Sequence, residues 1–431
     1  MPLARADAAS PRVHSPGDIM RSRFSAIALA VAAALPSAAG AVDFSYSGFG
    51  TLGYAQTDTD LAQVGYSGQP EGIDEDGTFK FDSKFGLQVT ARFNDMFFAT
   101  VQGVAYEDLT SEWEPRLDWA YVGFKPVSSL TIRGGYLRAP MFMYSDSVFI
   151  GYANTWVRPP LEVYRLTPVY QLLGGDVVWR QNFGRTTASL QAYYGESEIE
   201  AGGGSIGAKT KMDVPEWYGL VGSIEAGPLS ARVGYSRISM PDDLTDARLQ
   251  PAIDQLDYYA GLGCTECAID AGRLAVAGLE LEILSVGAQY DDGGNVAIAE
   301  YARRETGRIV TNDMYSAYFT YAYRFGSFMP YATYAIARHD GYESSAIPAS
   351  SPFAGLAAVA EGALAVTTND QDTYSVGLRY ELPGMPVLKG SVVKLKYDHI
   401  KAKEGNGLFT NVQPGFEGET DMVSVSFDFI F

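Results

Sequence analysis

Residues 78–93 read TFKFDSKFGLQVTARF, and their alternation decides the fold class. Phe79, Phe81, Phe85, Leu87, Val89, Ala91 and Phe93 interleave with Lys80, Asp82, Lys84, Gln88, Thr90 and Arg92. A period of two sends the two sets to opposite faces of an extended chain. At about 3.3 Å per residue the stretch outruns an ordinary globular strand and suits a tilted bilayer span with an outward extension. The chain end repeats the pattern, with Val423, Val425, Phe427, Phe429 and Phe431 against Ser424, Ser426 and Asp428. Tyr374, Val376, Leu378 and Tyr380 oppose Thr373, Ser375, Arg379 and Glu381. Phe319, Tyr321 and Tyr323 oppose Thr320 and Arg324, and Val393, Leu395 and Tyr397 oppose Lys394, Lys396 and Asp398. Around Phe98 and Ile298 the alternation is too blurred to assign faces.

Connections between these segments alternate in length. Short turns fall at Asn94-Asp95, Pro126 to Ser129, Gly184-Arg185, Gly227-Pro228, Asp291 to Gly294, Gly326-Ser327 and Pro383 to Pro386. They are rich in residues that favour turns. Long polar connections fall near 58–77, 108–115, 139–172, 196–214, 240–275, 305–313, 340–371 and 402–419. Seven short and eight long connections join sixteen strands and put both ends of the mature chain on the short-turn side. Phe93, Phe97, Phe98, Phe124, Phe183, Phe325 and Phe328 cluster near the short turns, like the aromatic girdle of a membrane interface. The fold class expected is all-β, a closed antiparallel transmembrane barrel. An open sheet in hydrocarbon would leave edge groups unpaired at several kcal/mol each, and a soluble sandwich would not need strands of lipid length.

Composition agrees. The 431 residues carry 32 basic and 51 acidic side chains, a net charge of −19, which argues against nucleic acid as a partner. A mean hydropathy of −0.05 hides any bilayer segment, as it must where only alternate residues face lipid. At the start, Arg21 and Arg23 precede an apolar run from Phe24 to Leu35 and the small residues Ala39-Gly40-Ala41. This predicts a signal peptide over 1–41, cut after Ala41, with a mature barrel over 42–431. The run is too short for a membrane anchor, which needs about 20 apolar residues. Pro11, Pro16 and scattered charges before Ile19 fit no signal region, so translation is expected to start at Met20. Removing 1–41 takes away four basic and two acidic residues, leaving 28 against 49.

On these residues the chain resembles the outer-membrane porins of Gram-negative bacteria. Phe431, after Phe427 and Phe429, is similar to the terminal signature by which the assembly machinery recognises such barrels. Asp118-Trp119-Ala120-Tyr121, Gly135 to Pro140, Ser145-Asp146-Ser147, Gly151-Tyr152-Ala153 and Trp156 to Tyr164 resemble proteobacterial porins of the broad phosphate-selective-porin-like superfamily. The resemblance implies a homotrimer in contact with outer-membrane lipids and lipopolysaccharide, passing small polar solutes without a cofactor. It does not carry over the solute.

The resemblance also implies that the third long connection, Ala139 to Leu172, folds inward and narrows the pore. Its aromatic content suits burial against a barrel wall. Arg138, Asp146, Arg158, Glu162 and Arg165, with Arg133 on the adjoining strand, would then line the constriction or pin the loop to the wall. Three arginines against two carboxylates in the loop give a weak expected preference for anions, and pairing between them would give a weak preference for cations. Other inward charges, among them Lys80, Lys84, Arg92, Arg324, Arg379, Lys394 and Lys396 against Asp82, Glu381 and Asp398, are read mostly as a solvated wall.

Cys264-x-x-Cys267 in the fifth long connection reads as a disulfide stapling a surface loop. Redox catalysis would need a βαβ context, and zinc a second ligand pair. Leu244, Leu249, Ile253 and Leu256 just upstream have helical spacing. Enzymatic activity is not expected. His339 and His399 are the histidines left in the mature chain, and Asp398 beside His399 points to the opposite face of its strand. A transporter with an internal plug would need a folded domain before the first strand, which begins near Phe44.

Overall fold

The computed structural model describes residues 42–66, 69–167, 170–201, 210–242, 249–306, 313–339, 344–365, 370–384, 388–403 and 406–431. The expected signal peptide and Leu244 lie outside them. Asp43–Phe431 forms one compact unit.

Sixteen antiparallel strands close on themselves. They are β1 (Asp43–Thr57), β2 (Lys84–Arg92), β3 (Phe97–Glu107), β4 (Trp113–Val127), β5 (Leu130–Arg138), β6 (Gln171–Phe183), β7 (Thr186–Ala201) and β8 (Thr210–Ala226), followed by β9 (Leu229–Ser239), β10 (Glu280–Asp291), β11 (Asn295–Glu305), β12 (Met314–Tyr323), β13 (Phe328–His339), β14 (Gln371–Glu381), β15 (Gly390–Ala402) and β16 (Glu419–Ile430). Each pairs with its sequence neighbours, and β1 pairs with both β2 and β16. At the seam the Gly48 and Phe431 main chains exchange hydrogen bonds of 3.1 and 3.0 Å. The Phe431 ring lies over Gly48 so closely that a Cβ there would sit 2.2 Å from Cζ, and the Phe429 ring covers Gly50 in the same way. Closure leaves no strand edge to satisfy in lipid.

The expected faces are present. Phe319, Tyr321, Tyr374, Val376, Leu395, Val423 and Val425 are exposed, while Thr320, Thr373, Ser375, Lys394, Lys396, Ser424 and Asp428 on the same strands are buried. An exterior of exposed apolar side chains around a polar interior is stable in a bilayer, where lipid replaces water at the outer wall. Tight turns join the strands on one side. Gly184 and Gly227 adopt φ of +63° and +59°, which their two-residue hairpins require.

The structure corrects three expectations about the strands. Residues 78–83 do not extend β2: they turn, Phe81 stacks on Tyr66 at 5.5 Å, and Asp82 crosses above β1 where Gly53 has no side chain to obstruct it. Most of the stretch expected as a loop at 196–214 is strand, because β7 and β8 keep pairing past an irregularity between Gly195 and Ser197. Phe97 and Phe98 do not share the girdle. Phe97 stacks on Phe124 at 4.8 Å, whereas the next residue faces the other way, so Phe98 packs over Gly123 beside Tyr121.

Among the long connections, Gln63–Val64 and Phe409–Thr410 pair as a small two-stranded sheet. Helices Gln250–Gly261 and Thr265–Leu274 pack through Leu249, Ile253, Leu256 and Leu274 with Ile347 of a later loop. The helical spacing from Leu249 thus corresponds to a helix with a buried face. Cys264 and Cys267 are joined at the start of the second helix, Cα to Cα 5.3 Å.

Candidate functional site

Connection 139–170 leaves β5 through Ala139, whose N–H donates to the Tyr170 carbonyl at 2.8 Å and closes the neck of the loop. Its aromatic residues bury themselves against strand side chains on the face opposite the exposed apolar one. Phe142 and Trp156 are fully buried and Tyr164 nearly so; the Trp156 ring meets Tyr318 edge-on at 5.5 Å. Each such side chain contributes about 1.5–3 kcal/mol by burial. Their polar atoms are matched too. Trp156 Nε1 donates to Thr320 and Thr333 at 3.0 and 3.1 Å. The buried Glu300 carboxylate accepts from Met143 N, Tyr164 Oη and Tyr318 Oη at 2.6, 3.0 and 3.0 Å.

A second set of contacts reaches β14–β16 and β1. Lys394, with no exposed side-chain surface, donates to the carbonyls of Gly151 at 2.5 Å and Trp156 at 2.9 Å, and pairs with Asp428 at 3.1 Å. Thr51 also donates to Asp428, at 2.6 Å. Arg379 donates to the carbonyls of Tyr152 and Asn154 at 2.7 and 2.9 Å. Position 151 must be bare, since a Cβ there would lie 2.0 Å from Asp428 Oδ1. The expected solvated wall is therefore corrected at Asp82, Arg379, Lys394, Lys396 and Asp398. All five are buried, and loop groups or one another satisfy them.

The six charges expected at a constriction are not gathered in one place. Arg133 forks onto Asp176 across β5 and β6, which also accepts from Gln191, and stands over the Tyr121 ring at 5.2 Å. Arg138 pairs with Asp118, itself held by Gln102 and Gln171 at 2.8 and 2.9 Å, and stacks over Phe149 at 4.3 Å. Asp146 is exposed, 3.7 Å from Arg232. The remaining three, Arg158, Glu162 and Arg165, line one small cavity. Arg158 forks onto Asp82 and donates to Ser424 at 2.7 Å. Burial alone would depress this guanidinium; the Asp82 carboxylate outweighs it and holds the group above its ordinary value. In return Arg158 overcomes burial at Asp82 and keeps that carboxyl below 3.8. Glu162 Oε1 accepts from Gln371 Nε2 at 2.9 Å and from Thr373. Arg165 donates to the Leu408 carbonyl, and burial pushes it down to about 10 against the opposing pull of Glu162.

Sequence reasoning missed Asp118, Asp176, Glu300, Thr51 and Asp428 as partners of the loop and wall arginines, lysine and tyrosines. Alternation marks Asp428 as inward-facing but does not say that a loop some 270 residues earlier lands above it. The histidines hold strand-end carboxylates: His399 Nδ1 lies 2.8 Å from Asp421 and His339 Nδ1 2.6 Å from Asp370. Among the described residues no group of three or more His, Cys, Asp or Glu is placed to hold a metal ion.

No family model and no curated protein matches the chain. Among solved structures, Salmonella typhi OmpF in complex with daunomycin is similar over 90% of this chain and 97% of its own, with 13% identity and a TM-score of 0.54. The outer membrane channel DcaP of Acinetobacter baumannii is similar over 92% and 99%, with 12% identity and a TM-score of 0.50. At these identities the likeness is one of fold: the chain has the closed sixteen-stranded architecture seen in outer-membrane barrels.

Proposed function

We propose that residues 1–41 are an export signal and that the chain from Val42 works in the outer membrane of a Gram-negative bacterium as a porin, a passive path for small hydrophilic solutes or ions. The observation that supports this best is a polar inner face to which one long loop is hydrogen-bonded at Ser285, Glu300, Thr320, Arg379 and Lys394. On this reading connection 139–170 is the inward-folded third loop that narrows the channel, and its charged residues are pore-lining or pinning according to their partners. Arg158 faces Asp82 and pins the loop, Arg133 and Arg138 on the adjoining strand are matched to wall carboxylates, and Arg165, with no ion-pair partner among the described residues, bears on the solute.

The reading extends to a homotrimer, to contact with lipopolysaccharide, to a role for Phe431 in recognition by the assembly machinery, and to kinship with the phosphate-selective-porin-like group. No catalytic step is proposed. The weak anion preference now rests on Arg165 alone, and the narrower reading, a channel selective for small anions or organic acids, draws on the same residue. Liposomes bearing the purified barrel should swell in isotonic solutions of small sugars and progressively less with larger ones. Absence of swelling with every solute would contradict the proposal. Across a KCl gradient, Arg165→Ala should shift the reversal potential toward cations; no shift would remove the basis for an anion preference.

A further inference from the structure

Lys84 opens β2 on its inner face, because Phe85 and Leu87 after it are exposed on the outer one. It stands in register between Thr51 of β1 and Tyr106 of β3, and it is partly exposed. Among the described residues its ammonium makes no ion pair and no hydrogen bond. The carboxylates that act on it are Asp82 and Asp428, opposed by Arg158 and Arg138. Both acids are already engaged. Asp82 accepts the Arg158 fork, and Asp428 is bonded to Lys394, Thr51 and Ser426. Arg138 has its own carboxylate in Asp118. Lys84, Arg138, Arg158 and Lys394 thus meet Asp82, Asp118 and Asp428, and Lys84 is the base left over. On the loop Arg165 also lacks an ion pair, but there Glu162 pulls against its charge from the same cavity lining. No carboxylate without another partner offsets Lys84 in this way.

We propose that Lys84 is a specificity-determining residue of the channel: its ammonium, fixed on the wall rather than on the loop, is the surplus positive charge that draws small anions through the lumen and holds back cations. The inference rests on the reading of the barrel as a channel. It adds, from the wall, a residue to the anion preference that the loop charges leave to Arg165. A fixed cation lowers the energy of a passing anion and raises that of a passing cation, so its removal acts twice on their permeability ratio. The matched pairs beside it, Arg158 with Asp82 and Lys394 with Asp428, present dipoles whose fields fall off faster with distance.

Reversal potentials across a KCl gradient, recorded on the purified barrel in planar bilayers, test it. The wild type should prefer chloride to potassium. Lys84→Gln should lower the chloride-to-potassium permeability ratio by about threefold, and Lys84→Glu, which changes the charge by two, by about the square of that factor. Lys84→Arg should keep the wild-type ratio. Because the two cysteines of the chain are joined to each other, Lys84→Cys introduces a single free thiol through which charge can be put back. A methanethiosulfonate reagent bearing a trimethylammonium should restore the wild-type ratio, and one bearing a sulfonate should bring it to that of Lys84→Glu. A ratio unchanged by Lys84→Gln overturns the proposal, as does a ratio in the Lys84→Cys variant that neither reagent moves. Potassium preference in the wild type overturns it as well, and that result does not depend on a variant folding. A wild-type barrel that passes no current refutes the channel reading itself, whereas a conducting barrel indifferent to the charge at position 84 refutes the role of Lys84 and leaves the channel standing.

Discussion

Replacing Lys394 with Met should release the inner half of loop 139–170 while leaving the barrel closed. Met keeps the length and apolar stem of the side chain, so the wall of β15 retains its packing. What disappears is the ammonium that holds the Gly151 and Trp156 carbonyls at 2.5 and 2.9 Å and the Asp428 carboxylate at 3.1 Å. Asp428 keeps Thr51 and Ser426 as donors at 2.6 and 2.9 Å, so its charge is not wholly orphaned. Breaking a fully buried pair by removing one partner costs about 3–5 kcal/mol. At about 1.4 kcal/mol per factor of ten, opening of the loop becomes more frequent by roughly 10² at the lower cost and several thousand-fold at the upper. Hydrogen exchange read by mass spectrometry on a peptide spanning 150–160 measures that opening directly. Exchange there should accelerate by about two orders of magnitude or more, with peptides from β7–β9 unchanged. Unaltered protection of 150–160 in a folded variant would refute the argument that Lys394 clamps the loop.

Three further outcomes are expected. Deleting Phe431 should lower the amount of heat-modifiable barrel in the membrane, because it removes the ring over Gly48 and the two seam hydrogen bonds; a normal yield of barrel would contradict this. Changing both Cys264 and Cys267 to Ser should leave heat-modifiability and conductance intact, since the bridge joins residues only three apart in sequence and outside the strands, and loss of the barrel would count against it. Because Arg158 holds the Asp82 carboxyl below 3.8, the clasp contributes fully above that pH and fades as pH falls through the lowered folded-state value. Protection of the loop amides, corrected for the intrinsic pH dependence of exchange, should therefore match at about pH 7 and pH 5, and a loosening already complete at about pH 5 would show that Asp82 is not the group concerned.

Much of the barrel is legible in the sequence because membrane strands leave a strong record: lipid demands apolar side chains on one face, and the turns demand Gly, Pro, Asn or Asp. Residues 423–430 and 373–381 are read correctly from alternation alone. The failure at 78–83 has a physical cause. Phe79 and Phe81 alternate as strand residues do, yet Asp82 is drawn out of the pattern by a guanidinium 76 residues away, a contact that no local rule encodes. The site is legible only as a roll of charges. Which arginine is matched depends on acids contributed by other strands, such as Asp118 for Arg138 and Asp176 for Arg133, and these partnerships follow from register and loop descent rather than from spacing. Lys394 and Asp428 show the same limit: alternation orients both inward, but only the landing of Gly151 between them turns two wall charges into a clamp.

The central claim, that this closed barrel is a conducting channel, is tested most directly by adding purified, heat-modifiable protein to a planar lipid bilayer in KCl and recording current at fixed voltage. The expected result is a series of discrete, ohmic conductance steps as barrels insert. Barrels that insert in folded form and pass no ionic current would contradict the account.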